Sequence, residues 1–112
     1  MELPIERMLR QGVTAHKEGK LQEAERVYRS ILHSQPTHPD ANHNLGLIAV
    51  SRKEIVTALQ LFKSAIDANP RIGQFWISFI NALLTEKQFE RALETTLQAK
   101  ERGIAGKKLN DL

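Results

Sequence analysis

A stretch of this chain returns twice at a fixed interval of 34 residues. GKLQEAERVYRSIL, from Gly19 to Leu32, is followed by KEIVTALQLFKSAI from Lys53 to Ile66 and by KQFERALETTLQAK from Lys87 to Lys100. Ala24, Ala58 and Ala92 fall in phase, as do Leu21, Ile55 and Phe89, then Tyr28, Phe62 and Thr96, then Ile31, Ala65 and Ala99. Self-similarity of this period outranks other sequence signals, because each copy must be one small unit and the chain an array of such units.

Within each copy the apolar spacing is helical. Pro4 suits a first turn, where a missing N–H costs nothing, and Ile5, Met8, Leu9, Gly12, Val13 and Ala15 follow at helical intervals up to Glu18. Gly19 breaks that helix, and a second is expected from about Leu21 to Ser34, ahead of Pro36. His38-Pro39-Asp40 reads as a helix start, with proline in the first turn and a carboxylate facing the positive end of the dipole. The same reading predicts helices over Pro39–Ser51, Glu54–Ala68, Gly73–Thr85 and Gln88–Arg102, and a seventh beginning near Gly106. In that last segment Ile104, Leu109 and Leu112 form one face, while Lys107-Lys108 and Asn110-Asp111 are solvated. Loops of two to five residues require antiparallel neighbours, and no alternation typical of strands competes.

At 112 residues the chain is read as one domain, 1–112, with units at about 5–38, 39–72 and 73–104 and a partial capping segment at 105–112. A content of 41% hydrophobic and 26% charged residues is that of ordinary folded material. No apolar run nears the roughly 20 residues needed to cross a bilayer, so no membrane partner is expected. The absence of cysteine rules out disulfides, thiolate zinc sites and thiol nucleophiles, and fits a reducing, cytoplasmic setting. The net charge is +3, but no basic run reaches five residues and aromatics make up only 5%, which argues against nucleic acid.

These residues resemble the tetratricopeptide repeat, a helix-turn-helix of 34 residues, over about Ile5 to Gly103. The middle unit matches best, through Leu45-Gly46, Ala58, Phe62, Ala65 and Pro70; the first offers Gly12, Ala24, Tyr28 and Pro36, with Ile31 where alanine is usual. The third offers Trp76, Ala92 and Ala99, with Ile80 in the glycine position, Thr96 in the aromatic one and Ile104 in place of proline. The resemblance implies an all-α fold of three tandem units in a right-handed superhelical solenoid, ending in a short capping helix or its start. Gly12 and Gly46 then allow close helix approach, Tyr28 and Phe62 fill the space between units, and Trp76 belongs to the core. Thr96 is expected to lack bulk because no fourth unit packs on it.

No catalytic, cofactor or metal site is expected. His33, His38 and His43 are spaced five apart and do not share a helix face, and no paired carboxylate stands beside them at ligand spacing. Glu23 with Glu25, and Glu90 with Glu94, read as solvated charged faces near lysine and arginine rather than acid–base pairs. Gly103-Ile104-Ala105-Gly106 fits no phosphate loop.

What remains is a surface. In a solenoid of this kind the first helices line a concave groove. Helical spacing turns Glu6, Leu9, Val13, His16 and Lys17 inward, then Asp40, His43, Leu47, Val50 and Ser51, then Gln74, Ile77, Asn81, Leu84 and Thr85. Some family members clamp a peptide carboxylate with lysine, arginine and asparagine. Asn44 and Asn81 are of that type here, but His43 and Val13 break the set, so that activity is not carried over. Leu9, Val13, Leu47, Val50, Ile77 and Leu84 make the groove apolar, which suits an amphipathic helix or apolar peptide, with His16, His43, Asn44 and Asn81 as its polar contacts. The first expectation is therefore a non-catalytic protein-binding module. A second comes from HPDANHNLG, FWISFINALL and the tail, which look similar to segments preceding bacterial glycosyltransferase, sulfotransferase or methyltransferase domains. A third is self-association through the repeat ends, because Leu93 and Leu97 leave an outer face uncovered.

Overall fold

The computed structural model describes residues 4–104, and these form six helices. They are α1 (Pro4–Lys17), α2 (Leu21–Ser34), α3 (Pro39–Ser51), α4 (Ile55–Ala68), α5 (Gly73–Thr85) and α6 (Phe89–Glu101). The expected helix ends shift by one residue at Glu54, Gln88 and Arg102, because these residues act as caps rather than as helix interior. The expected seventh helix, with Leu109 and Leu112, lies outside the described residues.

Two kinds of turn alternate along the chain. Inside each unit the first helix ends on a residue of positive φ: Gly19 at 78°, Lys53 at 63° and Lys87 at 60°. The residue after it donates its N–H back across the turn, Lys20 to the Ala15 carbonyl at 2.8 Å, Glu54 to Ala49 at 2.9 Å and Gln88 to Leu83 at 2.9 Å. This closure satisfies carbonyls that a helix end otherwise leaves bare. Glycine adopts that backbone at no steric cost, whereas Lys53 and Lys87 adopt it at some cost.

Between units the chain instead leaves through Gln35-Pro36 and Asn69-Pro70. The proline carbonyls there receive hydrogen bonds from positions 34 residues apart: Asn42 Nδ2 reaches the Pro36 oxygen at 3.1 Å, and Trp76 Nε1 the Pro70 oxygen at 2.8 Å. Trp76 is buried, as core. His38 caps α3 in an unusual way, its Nδ1 accepting the Ala41 N–H at 3.1 Å while Pro39 opens the helix.

Packing follows the small and large positions of the repeat. Gly12 lies under the Tyr28 ring and Gly46 under Phe62; a Cβ at either glycine would come within 2.5 Å of a ring carbon. Tyr28, Phe62, Ala24, Ala58 and Ala65 are essentially inaccessible to solvent. In the third unit the sizes reverse. Ile80 supplies the bulk at the glycine position and Thr96 gives it up at the aromatic one, and both are buried. Thr96 turns its hydroxyl onto the Ala92 carbonyl at 2.8 Å.

The core runs as two adjoining clusters, one around Tyr28, Ile31 and Ile48 and one around Phe62, Phe79 and Leu83, with Leu61 packed against both. On the outer side Glu25 holds Arg29 at 2.9 Å and Arg52 at 2.5 Å, tying α2 to the end of α3, and these two cations lower its pKa. Overpacking the close contacts should cost about 1–3 kcal/mol, so Gly46→Ala and Ala58→Leu are each expected to lower the urea midpoint at unchanged m-value.

Candidate binding groove

The helices touch in a pattern that defines an inside and an outside. α1 touches α3 and α3 touches α5, whereas α2, α4 and α6 do not touch one another. The first helices are therefore crowded together on the concave side, and the second helices splay on the convex side. Curvature is a property of the array rather than of any unit.

Of the residues expected to face the groove, Leu9, Val13 and His16 of α1 are half-buried, as are Asn44 and Leu47 of α3 and Ile77 of α5. Val50, Asn81 and Leu84 are exposed, Val50 by 36% and Leu84 by 40%. The apolar positions expected in the groove, Leu9 and Val13, Leu47 and Val50, and Ile77 and Leu84, are thus half-buried or exposed in each of the three units. Leu9 packs against the first core cluster, and Leu47 and Ile77 against the second.

His43 departs from this arrangement. It keeps only 6% of its surface, and its Nε2 lies 2.8 Å from the Ser78 hydroxyl of α5. Phe62 of α4 and Phe75 of α5 flank its ring, at centroid distances of 5.4 and 4.8 Å. Gln74 Nε2 donates to the same Ser78 oxygen at 3.3 Å. The expected open histidine of the groove is thus part of its floor, where it links α3 to α5. Ser78 escaped the sequence reading because the bond joins positions 35 apart, one step off the repeat. A search for polar pairs one residue out of phase between successive first helices would have found it.

Burial lowers the His43 pKa from its ordinary 6.5, against the opposing effects of the Asn44 side chain and the Asp40 carboxylate. Asn44 also lies beside the Tyr28 hydroxyl, which is buried against α1 without a hydrogen-bond partner of good geometry. Burial raises that phenol's pKa, and Asn44 opposes the rise. The other histidines serve elsewhere: His33 is exposed and His38 is the α3 cap. Among the described residues no three His, Cys, Asp or Glu side chains converge on a possible metal position.

A histidine whose folded pKa is depressed binds its proton more readily in the unfolded chain, so its contribution is present above pH 6.5 and declines as pH falls below it. Between pH 7.5 and about pH 5 the urea midpoint should therefore drop more for the native chain than for His43→Gln, which cannot take up a proton. Equal drops would mean that His43 does not set the acid response.

Comparison with known proteins gives the context for this geometry. The sequence profile of the tetratricopeptide repeat matches residues 9–71, and no curated protein sequence matches the chain significantly. Among solved structures, an O-GlcNAc transferase of Thermobaculum terrenum superposes with a TM-score of 0.79 at 24% identity, over 90% of this chain and 20% of that one. The chain thus spans about a fifth of that enzyme's length. The first TPR domain of Spaghetti (RPAP3), bound to the HSP90 peptide SRMEEVD, superposes with a TM-score of 0.82 at 17% identity, covering 96% of this chain and 87% of its own. The Sgt2 TPR domain from Aspergillus fumigatus gives 0.82 at 15% identity, covering 97% and 74%. At these identities the structural likenesses speak for the fold alone. Since the profile covers more than half of the sequence and the helix pairs carry its glycine–aromatic contacts, the chain belongs to the tetratricopeptide repeat family.

Proposed function

We propose that the chain is a non-catalytic interaction module that holds an apolar peptide or an amphipathic helix in its concave groove. The observation that carries this reading is the set of apolar positions from Leu9 to Leu84, half-buried or exposed in each of the three units. Val13, His16, Asn44 and Asn81 complete the contact surface, above the His43–Ser78 floor. Such a surface suits helix-in-groove recognition, in which apolar anchors give affinity and a few polar groups fix the register. The Spaghetti domain holds its peptide on the same fold. The proposed partner is a protein segment in the cytoplasm, neither nucleic acid nor membrane. Among the described residues no helix is long and apolar enough to cross a bilayer.

The likeness to part of a transferase favours a second reading, in which these repeats position the substrate of an enzyme carried on the same polypeptide. Reading the coding DNA beyond the codon for Leu112 separates the two.

The groove itself is tested with peptides selected from a random display library against the folded chain. The double variant Leu47→Glu, Ile77→Glu should lose at least about tenfold in affinity for them, with helicity unchanged by circular dichroism. Peptides that bind native and variant chains equally would place recognition elsewhere.

A further inference from the structure

The third unit carries a surface that the first two lack, and it lies away from the groove. On α6, Phe89, Leu93 and Leu97 stand four residues apart and expose 61%, 61% and 54% of their surface. The in-phase residues of α4 behave differently. Ile55 and Leu59, the counterparts of Phe89 and Leu93, are buried in the core cluster that α5 closes. Leu97 falls where the earlier units hold the exposed cations Arg29 and Lys63, so the apolar strip of α6 is wider than repetition requires.

The charge beside the strip is also particular to this helix. At about 100° per residue, Glu90, Glu94 and Glu101 all fall along one edge of the strip, with Leu97 turned toward them. The same positions hold Gln22, Arg26 and His33 in α2, and Val56, Gln60 and Asp67 in α4. Among the described residues, the ion pairs engage Glu18, Glu25 and Asp67 but none of these three glutamates. Glu90 and Glu94 stand at i and i+4, a like-charge pair that mildly opposes the helix. Of the cations on α6, Arg91 is turned to the far side and bonds Gln88 Oε1 at 2.7 Å, and Lys100 lies at the end of the strip.

We infer that the outer face of α6 is a second docking surface, independent of the groove, whose occupant is an amphipathic helix with lysine or arginine along one edge of its apolar stripe. Such a helix lies along α6 much as α5 lies along α4, covers Phe89, Leu93 and Leu97, and neutralises the glutamate edge. A second copy of this chain is the poorer fit. Stacked head to tail, it would set Phe89 and Leu93 against Arg7, Gln11 and Thr14, where α3 and α5 carry Ala41, Leu45 and Ile48 or Phe75, Phe79 and Ala82. Paired face to face about Leu93, the two glutamate edges would fall on the same side.

The test uses the full chain and two labelled designed helices of about five turns, each with a leucine stripe, flanked by lysine in one and by glutamate in the other. In fluorescence anisotropy the lysine helix should bind at least about tenfold tighter and weaken at about 0.5 M salt. Leu93→Asp should abolish this binding, while the Leu47→Glu, Ile77→Glu pair leaves it intact. Glu90→Lys with Glu94→Lys should reverse the preference between the two helices. All of these positions except Leu47 and Ile77 are exposed, so circular dichroism should stay unchanged. Equal binding of the two helices, or survival of binding in Leu93→Asp, overturns the inference. So does a dimer in sedimentation that Leu93→Asp dissociates, since a second copy would then own the face. A gain in lysine-helix affinity on Leu109→Asp also overturns it, by making segment 105–112, with Lys107 and Lys108 beside Leu109, the occupant in cis.

Discussion

The close approach of a glycine to an aromatic ring governs the rest of this structure. Gly12 under Tyr28 and Gly46 under Phe62 leave no room for even a single Cβ. The distance between the two helices of a unit is therefore set by ring thickness, and interiors packed at crystal-like density transmit that distance to their neighbours. Ala24, Ala58 and Ala65 keep the opposing surface equally low. Once two successive units share one spacing, they stack with one rotation, and a curved array follows. The third unit reaches a compatible geometry by another route, with bulk at Ile80 and a small residue at Thr96. The size of the pair is the constraint, and the identity of either member is secondary.

Curvature divides the molecule chemically. Crowding of α1, α3 and α5 half-covers their apolar side chains and draws His43 into the floor, where it meets Ser78 between two phenylalanine rings. The proposed groove is read as apolar, through Leu9, Val13, Leu47, Val50, Ile77 and Leu84. On the splayed side the second helices are free to differ, and they do. α2 is bound through Glu25 into an ion-pair network, whereas α6 presents an apolar strip beside three glutamates.

Much of this was legible in the chain itself. The 34-residue period, the six helices and their order, the stops at Gly19, Pro36 and Pro70, the cap at His38 and the burial of Trp76 were all readable there. The helices and their stops depend on backbone preferences and on spacing within a few turns, the period on self-similarity along the chain, and the place of Trp76 in the core on the family resemblance. The helical spacing of Leu9, Val13, Leu47 and Ile77 is recorded within single helices, and all four are half-buried. His43 was misread as open for the opposite reason: its environment comes from α4 and α5, not from α3.

By itself, then, the sequence determined the repeating unit and its helices, since these are periodic and short-range. That Tyr28 and Phe62, expected between units, press on Gly12 and Gly46 of their own units was settled by the packing. Tertiary structure alone decided which inward residues stay open and which sink. His43 meets Ser78 of the next unit, a contact that no spacing within a single helix records. Tertiary structure also decided that Phe89 and Leu93 stay exposed while the in-phase Ile55 and Leu59 are buried. A residue's exposure depends on whether another helix lies across it, and that is a fact about its neighbours in space.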